Sequence, residues 1–136
     1  MSSIINASVA SNGIVSTADA SGILLCQSNG VNTNSMAWVN FTGITTTTIK
    51  ASYNVSSVTR NGTGDYTVAF TTAMTDANYA TVFGDFGANG NPDALPFISA
   101  ANLATYKIAA SVRFLTNIAS SQVVADSGSV SMVVFR

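Results

Sequence analysis

Large apolar residues return at every second position along several stretches of this chain, and no long stretch returns them at helical spacing. In Tyr66-Thr67-Val68-Ala69-Phe70-Thr71 the bulky side chains fall at 66, 68 and 70. A period of two puts them on one face of a half-buried strand. Val130, Met132 and Val134 repeat the pattern near the end of the chain. Between the apolar runs stand turn formers. The stretch Asn61-Gly62-Thr63-Gly64-Asp65 offers three residues that tolerate positive φ, as a hairpin requires. A phosphate-cradling loop would need a helix and a lysine behind it, and here a strand follows at once. The stretch therefore reads as a hairpin turn.

The remaining runs follow the same logic. Trp38 and Asn40 alternate with Val39 and Phe41, which suggests a strand covered on both faces. The Thr45–Thr48 run, bounded by Ile44 and Ile49, is expected to be a strand with a β-branched polar face. Tyr53 to Thr59, Tyr79 to Phe86 with Val82 and Phe86 among its apolar members, Gln122 to Ala125 and Ser129 to Phe135 are further expected strands. Residues 105–116 read as one more, with Ile108, Ala110, Val112 and Phe114 on one face. The main loop is Gly84 to Pro96. The expected fold is all-β: an antiparallel sandwich or jelly-roll-like domain over residues 36–136. Residues 1–35, rich in Ser, Asn, Ala and Gly, hold too few large side chains for a core of their own. They are expected to form a short β-rich stalk or attachment segment that packs on a partner or on copies of itself.

Composition narrows the function. Only 8% of residues are charged and the net charge is −1, against about 25% charged in an ordinary soluble domain. With no basic stripe, nucleic acid is not expected as a partner. So uncharged a surface keeps a free monomer in solution poorly. Cover by other subunits is the expectation. The chain has no histidine and no glutamate, which removes the commonest general base and one of the two carboxylate types. Catalytic, metal and cofactor sites are not expected. Cys26, beside Ile23, Leu24 and Leu25, reads as a small buried hydrophobe. No run has the length of a membrane span, and the N-terminal residues lack the basic start and long apolar core of a signal peptide.

Few residues stand out as candidate sites. Asp85, Asn89, Gly90 and Asp93 partly echo a calcium loop, but Gly87 and Pro96 fall where ligands should be. As a recognition loop on a β scaffold, Asp85, Asn89, Asn91 and Asp93 are the candidates. Asn6, Asn40, Asn54 and Asn61 fit the glycosylation triplet, as chance allows in a chain so rich in Asn, Ser and Thr. Asp65, Asp76 and Asp126 read as turn formers, and Tyr53, Tyr66, Tyr79 and Trp38 as core or interface aromatics. Ile14, Ile23, Leu24, Leu25 and Trp38 are the candidate subunit-interface or attachment residues.

Three pieces carry a resemblance. Ala37-Trp38-Val39-Asn40-Phe41, Ala51-Ser52-Tyr53-Asn54-Val55-Ser56-Ser57, and Gly64-Asp65-Tyr66-Thr67-Val68 with Phe70-Thr71-Thr72-Ala73-Met74 resemble a module of bacteriophage virion proteins. The module occurs in tail-fibre and receptor-binding chains of cyanophages and other aquatic phages. Upstream, Gly13-Ile14-Val15, Thr17 to Gly22 and Gln27 to Gly30 resemble the segment that precedes it. The likeness covers most of the first eighty residues; the closing half shares only its texture. It implies a homotrimeric, non-catalytic, β-rich particle component, made in the host cytoplasm and displayed on the virion surface. Fibre chains of this kind usually carry a long N-terminal shaft, and here the stretch before the module is short. The expectation is therefore a capsid decoration, or cement, trimer that bridges major capsid subunits. The alternative is a short tail fibre or fibre tip that joins tail proteins and binds a host surface glycan or protein.

Overall fold

In the computed structural model, residues 27–28, 31–32, 34–85, 94–97, 103–118, 121 and 123–136 are described. Twelve strands and one helical turn run β1 (Gln27–Ser28), β2 (Val31–Asn32), β3 (Ser35–Thr42), β4 (Thr48–Tyr53), β5 (Val55–Gly62), β6 (Asp65–Phe70), β7 (Ala80–Asp85), β8 (Ala94–Phe97), α1 (Leu103–Tyr106), β9 (Lys107–Ile108), β10 (Ser111–Ile118), β11 (Val123–Val124) and β12 (Val130–Phe135). Among the described residues every strand pairing is antiparallel. β1 and β2 pair only with each other, and the rest form two sheets.

One sheet has the order β4-β3-β12-β7. Its inner face is built from directly opposed pairs: Phe41 with Val130, Val39 with Met132, and Ala37 with Val134. The second sheet is organised on β10, which pairs with β6, β8, β9 and β11, while β5 pairs with β6. Here the inner pairs are Tyr66 with Phe114 and Val68 with Val112. The two inner faces meet in one core, all of it buried. Rings interlock across it: Phe41 lies 5.3 Å from Tyr66 at 69°, and Phe83 lies 4.7 Å from Phe114. Edge-on and tilted contacts of this kind suit the ring quadrupole and fix the spacing of the sheets.

The hairpin at Asn61–Asp65 is present. β5 and β6 close it, and Gly64 takes φ +62°, where a side chain would be strained. A Cβ there would also stand 2.5 Å from the Ala125 carbonyl. The final strand shows the expected alternation, with Val130, Met132 and Val134 buried.

Three expectations are corrected, and β7 shows which of its apolar residues faces the core. Residues 45–47 are not strand: the chain bends, Thr45 takes φ 58°, and β4 begins at Thr48. The Thr47 hydroxyl instead bonds the Val58 carbonyl at 2.9 Å, an alternative that short polar side chains offer the backbone. Residues 105–116 are not one strand either. The chain folds back at 109–110, so Ser111 pairs with Ile108, and Ile108 is left exposed. In β7, Val82 points to solvent and Phe83 packs on the core. Lastly, β3 is buried on one face only, since Trp38 is 37% exposed.

A feature that sequence pattern did not show lies between β4 and β5. These adjacent strands belong to different sheets. Asn54, at φ 53°, makes the corner. Its Nδ2 donates to the Met36 and Thr72 carbonyls, and its Oδ1 accepts from the Thr72 N–H at 2.7 Å. Asn is among the few residues that enter the left-handed region readily, and here its amide ties three segments at that point.

Candidate functional site

Among the described residues, Asp65, Asp76 and Asp126 are each held in an ion pair. Asp126 lies after β11 and faces the β5–β6 hairpin. Its Oδ1 accepts from Arg60 Nε at 2.9 Å and from the Gly64 N–H at 2.7 Å, and its Oδ2 accepts from Arg60 at 2.8 Å. The Tyr66 phenol lies 3.1 Å from both Asp126 Oδ1 and the Gly43 carbonyl, and accepts from the Ser127 N–H. Partial burial works to raise the Asp126 carboxyl, but the bonds from Arg60, Gly64 and Tyr66 outweigh it and hold it below the usual range.

Asp65 is gripped by Arg113 on the neighbouring strand, with Nε at 2.9 Å, and also accepts from Asn61. The Arg113 bond holds its carboxyl low as well. A third pair joins Arg136 to Asp76 at 2.8 Å. The Lys107 ammonium sits 4.7 Å from the Tyr79 ring centre. Acid catalysis by a carboxyl needs a raised pKa, and these arrangements push the other way. Among the described residues no group of three or more His, Cys, Asp or Glu is placed to hold a metal, and no helix is long and apolar enough to cross a membrane.

The expected recognition loop is shorter than Gly84 to Pro96. Gly84 and Asp85 close β7, and Pro96 lies in β8, opposite Thr116. Asn89, Asn91 and Asp93 lie outside the described residues, as do Ile14, Ile23, Leu24, Leu25 and Cys26. The stalk expected of residues 1–35 therefore stands as an expectation, apart from the short β1–β2 pair.

Trp38, a candidate interface residue from sequence, is described. It stands on the outer face of the four-stranded sheet, opposite Tyr53 on β4 and Val133 on β12. Val133 in turn faces Val82 on β7. The register thus lays Tyr53, Trp38, Val133 and Val82 in one row across all four strands. Of the aromatics grouped together from sequence, Tyr66 and Tyr79 are core residues, while Trp38 and Tyr53 are not. Strand alternation alone could have separated them: in β3 the parity of Trp38 is opposite to that of Val39 and Phe41.

No family model, no curated protein and no solved structure matches the chain.

Proposed function

We propose that this chain is a non-enzymatic virion structural protein: a homotrimeric capsid cement with a jelly-roll-like sandwich, bridging and stabilising major capsid subunits. The observation that carries the reading is the fate of its charges. Of five cationic side chains, the three arginines are bonded to aspartates within the fold and Lys107 lies over Tyr79. Among the described residues most of the charge is thus neutralised in pairs, and a surface of that kind suits a subunit embedded in an assembly. The virion setting rests on the three motif pieces, which fall on β3, on the β4–β5 corner and on the β5–β6 hairpin with its continuation. The jelly-roll reading draws on the path of the chain, which passes between sheets after β4 and after β6 and returns β12 to lie beside β3.

Cement acts by cohesion. Apolar area removed from water at subunit seams contributes about 25 cal/mol per Å2, before the costs of association. The test is the copy number of this chain in purified virions relative to the major shell protein. A ratio near that of the shell protein supports cement. A ratio small enough to fit only the tail gives the chain to a short fibre or fibre tip, and absence from virions overturns both.

A further inference from the structure

Resting on the trimer reading above, we infer that the outer face of the β4-β3-β12-β7 sheet is the surface by which copies of this chain meet. Its first row is Tyr53, Trp38, Val133 and Val82, three of them at 37–58% exposure and Val133 half-buried. Phe135, 40% exposed and opposite Ala80, extends the row at one corner. With about 200 Å2 for a large aromatic side chain, these residues leave on the order of 400 Å2 of apolar surface in water. A patch of that size equals the largest on a typical monomer, about 300–600 Å2, which is often functional. A homotrimer joins copies through unlike surfaces, so this face would turn to the threefold axis, where three such patches bring together on the order of 1,200 Å2 of apolar surface.

The occupant follows from charge and hydrogen bonding. The second row across the sheet is Ala51, Asn40, Ser131 and Gly84. Neither row contains a charged residue. About a threefold axis like residues meet, and rows without charge tolerate it; Lys50, exposed at the β4 bulge beside the second row, would have to stay at the rim in water. The polar group in the middle of the face is already satisfied, because Asn40 Nδ2 donates to Ser131 Oγ at 2.7 Å. That part of it can be buried at low cost.

β4 points the same way. All six of its residues are exposed, on both faces. Ser52 and Ile49 pair with the inward residues Val39 and Phe41, yet Ile49 is 37% exposed. The strand overhangs the opposite sheet, and a neighbouring copy closing on this edge would cover both of its sides.

Sedimentation equilibrium of the full chain tests the assignment with Val82→Lys, Trp38→Lys and Trp38→Phe, each checked for fold by far-UV circular dichroism. The wild type and Trp38→Phe should sediment as trimers. Each folded lysine variant should associate about 100-fold more weakly or worse, because the axis would gather like charges in a water-poor seam. Folded lysine variants that stay trimeric would overturn this surface and leave the trimer standing. A wild type that remains monomeric at high concentration would overturn both, and a shift of Trp38 fluorescence with added polysaccharide would then assign the face to a glycan.

Discussion

Replacing Asp126 should cost the fold more than any other single loss of a surface charge. The carboxylate is the common acceptor for Arg60, the Gly64 N–H and the Tyr66 phenol, and so it holds the segment after β11 against the β5–β6 hairpin. In Asp126→Ala, the Arg60 guanidinium, 27% exposed, turns to water and loses little. The Gly64 N–H is part-buried, and a donor left unmet there costs about 1–3 kcal/mol. The phenol keeps the Gly43 carbonyl as acceptor, so its loss is about 0.5–1 kcal/mol. The sum is roughly 2–4 kcal/mol, a large share of the 5–15 kcal/mol typical of a domain. In Asp126→Asn the amide oxygen still accepts from Gly64, and about half the loss should return. Urea titration read by Trp38 fluorescence should give midpoints in the order wild type, Asp126→Asn, Asp126→Ala, with unchanged slope. A double-mutant cycle with Arg60→Ala should show only weak coupling, because that pair is part-exposed. An Asp126→Ala midpoint within error of wild type would refute the argument that this carboxylate clamps the hairpin.

Other outcomes follow from the same structure. Gly64→Ala puts a side chain at φ +62° against the Ala125 and Thr116 carbonyls and should cost on the order of 3 kcal/mol in a urea titration. Asn54→Ala, which removes the corner amide, should cost about 1–3 kcal/mol, with Asn54→Gly losing less because glycine keeps the backbone angle at ease. Asp65 and Asp126 have folded pKa values lowered from 3.8, so their contribution is complete above that value and is lost as pH falls below it; the urea midpoint should hold down to about pH 5 and then drop. Burial pushes the Tyr66 and Tyr79 phenols up to about 12. Their protonated forms therefore favour the fold, an advantage complete below pH 10 and lost as pH rises through 12, and ultraviolet titration should show two phenols ionising near pH 12.

Sequence by itself determined the class of fold, the β5–β6 hairpin and the inward faces of β6 and β12. Each of those rests on strand parity or on a glycine that only a turn requires, and both are local properties. It also determined the shortage of charge and the lack of histidine and glutamate. What it could not decide is what lies across from a residue. The 105–116 run alternates whether or not it folds back at 109–110, because the hairpin of β9 and β10 is selected by their pairing and by the core. Thr45 to Thr47 carry strong strand preference, but the chain needs a bend there to bring β4 beside β3. Asn54 looks like any polar residue until two sheets meet at it. Parity sets Trp38 against Val39 and Phe41, but it does not say whether one face of β3 is enclosed or both are. Only the stacking of the two sheets decides that Tyr66 is enclosed and that Trp38, opposite Tyr53, is left on the outer face for a partner to cover.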